Sequence, residues 1–384
     1  MNNDPPASAM DADSVYQSTR ERIAQLSPVG HAARVSRPLI KELTRMGLMA
    51  PFFAQTYGGS GDGQVSATLL CGIREGLART SAEASTALAT QIGGIFVAAR
   101  HASQEVRQEW VPLVVSGDVV TAIALTEPER GNDVASMTMA ATKEPGGWRL
   151  SGKKVWIMKA PEADIYTVFA RTSGKGGRGI TAFLVPKTSQ GLSGEPIDSL
   201  WPDRVGNLFF DGVFVPDTHV IGPVDEGYKL GMSVFEAFRP SVAAHMLGLA
   251  RSALDLSARY ATTRRAFGHT IGSYQAVSHL LAEMKTRLQA AKLLTYDAAT
   301  AYDGGDTARI ATASAMAKLY ATEMGQFVID GAIQVHGAVA LERGHLLEHL
   351  YREVRPSRIY EGTSEIQREI IARNLLREYD RPEA

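Results

Sequence analysis

From Asp118 to about Val224 the chain is written in strands, and on either side of that stretch it is written in helices. Val119–Leu125 is a short apolar, β-branched run. Trp148–Trp156, Ile165–Ala170, Ile180–Val185 and Leu208–Val215 follow it, separated by turns such as Pro145–Gly147 and Gly174–Gly177. Short runs bounded by turn residues predict a compact antiparallel β domain. No G-x-G-x-x-G opens a helix after a strand, which argues against a dinucleotide-binding βαβ array.

The flanks have a different period. From about Val15 to Gly117 one apolar face is made by Leu39, Leu43, Met46 and Leu48, and another by Leu69, Leu70, Ile73 and Leu77. A glycine-built loop, Tyr57–Gly63, lies between them. Ala84–Arg100 is helical and carries mostly small residues, which permit close packing or leave room for a ligand; packing is the default. From Asp225 onward the stripes lengthen. Val242, Met246, Leu249 and Leu256 form one, Val277, Leu280, Leu281, Met284, Leu288, Ala291 and Leu294 a second, and Ile310, Ala313, Ala317, Phe327, Val328 and Ile333 a third. With a closing helix they predict a four-helix bundle. At 384 residues two or three domains are expected. The fold class is therefore mainly α with a central β domain: an N-terminal helical domain over 1–117, with 1–13 a disordered arm, a barrel-like antiparallel domain over 118–224, and a C-terminal bundle over 225–384.

The bulk chemistry narrows the function. Hydrophobic residues make up 45% and charged residues 21%, and the formal net charge is −1, so nothing points to nucleic acid or an anionic membrane. No apolar run reaches a membrane span. The N-terminus lacks a basic segment followed by an apolar one, and Cys71 is the single cysteine. A cytoplasmic chain without intrachain disulfides is the expectation. His336, His345 and His349 lie close in sequence, but no cysteine or paired acidic ligand completes a metal set, and none is expected.

One segment carries candidate chemistry. Ile359-Tyr-Glu-Gly-Thr-Ser-Glu-Ile-Gln367 places Glu361 on a turn before a helix, with Gly362 freeing the backbone. Thr363 and Ser364 are good capping residues, and Ser364 with Gln367 fits a capping box. Ile366, Ile370, Ile371 and Leu375 repeat at helical spacing, so one face is expected to be buried. A carboxylate beside an anion-binding helix start suits a base acting on a phosphate-containing ligand. Taken alone, a capped surface helix with a solvated glutamate is the plainer reading.

The order of zones, together with further motifs, changes that balance. Ala124-Leu-Thr-Glu-Pro-Glu-Arg-Gly-Asn-Asp133, Lys153-Lys-Val-Trp-Ile-Met158, Phe235–Ala244, the Arg264-Arg-Ala-Phe-Gly268 loop followed by Gln275, Gln334-Val-His-Gly337 and the Glu361 turn occur in one order. From about Arg37 to Arg377 the chain resembles the acyl-CoA dehydrogenases, flavoproteins that oxidise an acyl thioester to its α,β-enoyl form. The resemblance implies FAD as cofactor. Leu125, Thr126, Trp156 and Met158 would lie at the flavin ring. Arg264, Phe267 and Gln275 would hold the diphosphate and adenosine end of a neighbouring subunit's cofactor. Gln334, Gly337, Thr363 and Glu365 would contact FAD as well. Asn132, Phe235, Phe238, Arg239 and Gly362 would meet the substrate. Glu361 would take the α-proton while the β-hydrogen leaves as hydride to flavin N5. Met158 stands where relatives carry a hydroxyl residue, Asn132 where they carry serine, and Ala338 and Ala340 where they carry glycines. The implied partners are an acyl-CoA, an electron-transfer flavoprotein and further copies of the chain as a dimer or tetramer. An acyl group on a carrier protein, a flavin oxidase or monooxygenase, and a non-catalytic binding scaffold are the other readings.

Overall fold

The computed structural model describes residues 11–27 and 35–380. They form two compact units, one from residues 11–27, 66–86 and 236–380, the other from 35–65 and 87–235. The helices before the sheet are α1 (Ala12–Leu26), α2 (Arg37–Arg45), α3 (Ala67–Ala78), α4 (Ala82–His101) and α5 (Gln104–Val115). The expected arm over 1–13 falls mostly outside the described residues. Within them, Asp11 caps α1 by accepting from the amides of Asp13 and Ser14, so Asp11–Asp13 begin a helix instead.

The second unit is built on an eight-stranded sheet. Its strands are β1 (Thr121–Ala124), β2 (Ala140–Glu144), β3 (Gly147–Met158), β4 (Ile165–Arg171), β5 (Ile180–Pro186), β6 (Leu192–Pro196), β7 (Val205–Pro216) and β8 (Val220–Ile221). The order is β6-β7-β3-β2-β4-β5-β8, with β1 added beside β4. The sheet is mixed rather than purely antiparallel: β1 runs parallel to β4, and β2 touches β4 in parallel at Ala140 and Arg171. β4 and β5 are apolar on both faces because both faces are covered. On α4, Gly94 lets the helix approach β1 closely. A Cβ there would lie 2.3 Å from Thr121 Oγ1. Thr121 Oγ1 donates to the Gln91 carbonyl and Thr167 Oγ1 to that of Gly94. At this point the small residues serve packing.

The first unit is a helical bundle. α6 (Gly227–Thr263) enters it from Glu236. A short hairpin of β9 (Arg265–Ala266) and β10 (His269–Thr270) leads to α7 (Gln275–Asp303), α8 (Ile310–His336), α9 (Leu346–Val354) and α10 (Ser364–Tyr379). Met246, Leu249, Ala253, Met284, Leu288, Ala321, Met324 and Val328 fill its core. Leu347, Leu350 and Val354 join them from α9, a helix absent from the expected set of four. The apolar stripe of α10 is less covered than expected: Ile366, Ile370 and Ile371 are half-buried and Leu375 is 50% exposed.

Candidate active site

Glu361 sits in the helical unit at the end of a short turn, before α10. Its φ is +53° and that of Gly362 is +88°, so two successive residues are left-handed. Glycine takes that conformation freely; glutamate does so only when its surroundings impose it. The imposing groups come from three helices. Lys318 of α8 donates from Nζ to the Gly362 carbonyl at 2.7 Å. Gln367 of α10 donates from Nε2 to the same carbonyl at 2.9 Å and to that of Glu361 at 3.3 Å. Arg239 of α6 reaches the Glu361 carbonyl at 3.5 Å. At φ +88° any side chain on residue 362 would be strained, and a Cβ there would also come within 2.6 Å of Gln367 Nε2.

The capping pattern is shifted from the expected one. Thr363 is the N-cap, its hydroxyl accepting from the Ile366 amide, while Ser364 Oγ donates to Glu323. Gln367 does reach back, but as a donor to turn carbonyls, because the left-handed turn points those carbonyls toward it.

The carboxylate itself is set apart from its surroundings. Oε2 of Glu361 is buried and has no hydrogen-bond partner among the described residues. Burial raises the carboxyl's pKa above its ordinary value, against the opposing pull of Arg74, Lys318 and Arg239. Arg74 lies within the buried face of α3, bonded through NH1 to Ser241 Oγ at 2.9 Å and through Nε to Ser85 Oγ at 3.4 Å. His245 Nδ1 shares Ser85 Oγ at 2.9 Å. Burial, aided by the Arg74 charge, keeps His245 far below its ordinary pKa and therefore neutral. Burial likewise lowers Lys318 to about 8.

Of the residues assigned by sequence, the turn thus gathers Glu361, Gly362 and Arg239, with Phe238 buried beside Arg239 on α6. It does not gather Gln334 and Gly337. These sit at the C-terminal end of α8, and sixteen residues of helix separate Lys318 from Gln334, about 24 Å. Gly337 is left-handed there, and the adjacent His336 stacks on Tyr260 with ring centroids 4.3 Å apart. Arg264, Phe267 and Gln275 lie on or beside the β9–β10 hairpin and are exposed. Phe267 is 94% exposed, with φ +48°. Glu365 is exposed on the first turn of α10.

The sheet unit carries the other assigned group. Trp156 is 58% exposed and left-handed, at an irregularity in the β3–β7 register between Lys154 and Ile157. It is therefore not a core residue. The neighbouring Val155 amide donates to the Thr126 carbonyl at 2.9 Å, tying the end of β1 to β3. Thr126, Glu127, Lys153, Val155, Trp156 and Asn207 line a groove of about 530 Å³. Leu125 is buried behind Thr126, Met158 is half-buried at the end of β3, and Asn132 is exposed in the following loop. Phe235 is half-buried on α6.

Beneath that groove lies a pair that sequence reasoning missed. Lys154, wholly buried, donates to the Leu125 carbonyl and to Glu127 Oε1, both at 2.9 Å. Glu127 also accepts from the Thr138 and Met139 amides. Burial raises the Glu127 pKa, but Lys154 and those amides outweigh it and hold the carboxyl below its ordinary value. Burial lowers Lys154 to about 8, with Glu127 opposing. The signals available in sequence were charged residues in apolar settings. Arg74 falls between Ile73 and Leu77, and Lys318 is the first charge in the Ile310–Met324 run.

The turn thus presents a lone carboxylate with a buried, unpartnered oxygen, flanked by cations. The acyl-CoA dehydrogenase N-terminal, middle and C-terminal domain models match residues 7–118, 122–213 and 225–376. The cyclohexane-1-carbonyl-CoA dehydrogenase of Geobacter metallireducens is 31% identical over 95% of this chain and 96% of its own. The mitochondrial short-chain specific acyl-CoA dehydrogenase of Sus scrofa is 34% identical over 94% and 87%. A solved structure described as the FAD complex of PigA superposes with a TM-score of 0.86 at 28% identity, covering 98% of this chain and 99% of that one. The chain belongs to the acyl-CoA dehydrogenase family, oxidoreductases that act on CH–CH bonds.

Proposed function

We propose that this protein binds FAD and dehydrogenates an acyl-CoA thioester between its α and β carbons, with Glu361 as the base. The observation that carries the reading is the carboxylate of Glu361, fixed in a left-handed turn with Oε2 buried and unpartnered. A buried oxygen left without a donor is costly unless a ligand uses it.

The residues present fit the cofactor. Thr126 and the exposed Trp156 flank a groove on the sheet unit, with Leu125 and Met158 beside it. Arg264, Phe267, Gln275 and Gln334 offer exposed side chains and Gly337 open backbone on the helical unit; at the start of α10 Glu365 is exposed and Thr363 half-buried. Arg264 suits a diphosphate, since its planar fork makes paired, charge-assisted bonds. When bound, FAD supplies the two-electron acceptor for the β-hydrogen. The chain's own residues do the rest. Glu361 accepts the α-proton, which the thioester carbonyl has made acidic. Negative charge then develops on the carbonyl oxygen, and the backbone amide of Glu361 is assigned to it. Arg239, Phe238, Phe235, Gly362 and Asn132 are assigned to the substrate. An electron-transfer flavoprotein is the proposed acceptor, a dimer or tetramer the proposed assembly, and divisions near 117/118 and 224/225 the proposed domain limits.

The test is anaerobic bleaching of the purified yellow protein by a panel of thioesters. Butyryl-CoA and cyclohexane-1-carbonyl-CoA are tried against the same acyl groups on an acyl-carrier protein. Bleaching by a CoA ester, with slow reoxidation in air, is the expected result. Bleaching by the carrier-protein esters alone would move the substrate to that class, and rapid reoxidation in air would make the protein an oxidase. A colourless protein that takes up no FAD would overturn the reading.

A further inference from the structure

Four side chains hold the Glu361–Gly362 turn or face its carboxylate, and one of them does both from a fully buried position. Lys318 is 0% exposed, on the bundle-facing side of α8. Its Nζ donates to the Gly362 carbonyl at 2.7 Å, which is the shortest hydrogen bond holding the turn. A turn this far from the favoured backbone regions persists only while its surroundings fix it. Burying an ammonium is expensive, and a neutral residue of similar volume could fill the same space more cheaply.

The charges facing Lys318 are Glu361, Arg239, Glu323 and Glu365. Glu323 is engaged by Arg358 at 2.8 Å and by Ser364 Oγ at 2.8 Å, and Glu365 by Arg368 at 3.6 Å. The charges facing Glu361 are Arg74 from α3, Lys318 from α8 and Arg239 from α6. Among the described residues, Glu361 is thus the facing carboxylate with a buried oxygen left unbonded.

We infer that Lys318 is a positioning residue for the base: it fastens the turn through the Gly362 carbonyl and holds a positive charge beside the Glu361 carboxylate. The inference rests on the reading of Glu361 as the base. The charge acts against burial, which by itself favours the protonated carboxyl. Proton transfer to Glu361 requires its ionised form, so the ammonium extends toward acid the pH range in which the base is ready.

Two variants separate the two roles. Lys318→Met removes donor and charge; Lys318→Gln keeps a donor and removes only the charge. In the FAD-loaded enzyme, anaerobic flavin reduction is followed across pH with whichever of butyryl-CoA or cyclohexane-1-carbonyl-CoA bleaches the wild type. Both variants are expected to displace the acid limb of the rate profile to higher pH, lowering the rate on that limb by on the order of tenfold. Lys318→Met is expected to add a pH-independent loss that Lys318→Gln largely avoids. The second readout needs no turnover: the protonated Glu361 carboxyl is followed against pH by infrared difference spectroscopy, with Glu361→Gln to assign the band. In both variants the band is expected to persist to higher pH than in the wild type. An unmoved acid limb together with an unmoved carboxyl titration would overturn the inference, whatever the loss of rate. If no thioester of the panel, on CoA or on a carrier protein, bleaches the wild type, the base reading fails, while the infrared titration still decides whether Lys318 controls Glu361. Should Lys318→Met not fold, Lys318→Gln carries the same decision.

Discussion

At the scale of single residues, Glu361 is held against its own preferences, and that has a measurable cost. Its backbone is left-handed, its Oε2 lacks a partner, and its pKa is raised by burial. A carboxyl whose folded pKa exceeds its unfolded value penalises the fold once the pH is above both. The penalty disappears as the pH falls through the folded value toward the ordinary one. Glu361→Gln is therefore expected to raise the thermal midpoint at neutral pH, by the equivalent of about 1 kcal/mol, and the gain should shrink on acidification. A variant no more stable than the wild type at neutral pH would contradict this. The Lys154–Glu127 pair works with the opposite sign. The Glu127 pKa is depressed, so its stabilisation is present above the ordinary carboxylate range and is lost as the pH falls through the folded value. Lys154→Met leaves a buried carboxylate without its cation and is expected to cost about 3–5 kcal/mol, read by chemical unfolding. Loss of the fastening at Leu125 should also weaken FAD uptake. Unchanged stability would remove the pair from the account.

At the scale of elements, periodicity predicted what packing imposes and missed what polar groups impose. The long stripes of α6, α7 and α8 were legible because their apolar residues meet in one core. Thr363, one of the two expected caps of α10, is its cap, but the Ser364–Gln367 capping box does not form because Ser364 turns to Glu323, a partner forty-one positions away that no local pattern reveals. The half-covered stripe of α10 escaped for a similar reason: period shows which residues share a face but not what covers it. The parallel pairing of β1 with β4 was hidden too, since a four-residue run carries no direction. The small residues of α4 were read correctly as packing at Gly94. Gly94→Val would drive side-chain atoms into Thr121 and the backbone of β1. It is expected to destabilise the protein by at least about 1–3 kcal/mol, seen as a lower thermal midpoint. An unchanged midpoint would mean that α4 can shift.

At the scale of the whole molecule, the helix–sheet–helix order was legible without any side-chain detail, and the family was legible from motifs spread along it. The supporting cast was not. Arg74, Arg239 and Lys318 come from three helices and face Glu361 only after folding, with Ser241 holding Arg74. Gln334 and Arg264 belong to the same resemblance, yet Gln334 stands about 24 Å along α8 from Lys318. One list of site residues therefore divides into the Glu361 turn and exposed regions away from it. The proposed role of Glu361 is the central claim. Its most direct test is the rate of anaerobic flavin reduction in Glu361→Gln against the wild type, using a thioester that bleaches the wild type. The variant is expected to retain FAD and to bind the thioester while its reduction rate falls by about 10²–10⁴-fold. Reduction at a near-normal rate by a folded, FAD-loaded Glu361→Gln would contradict the account.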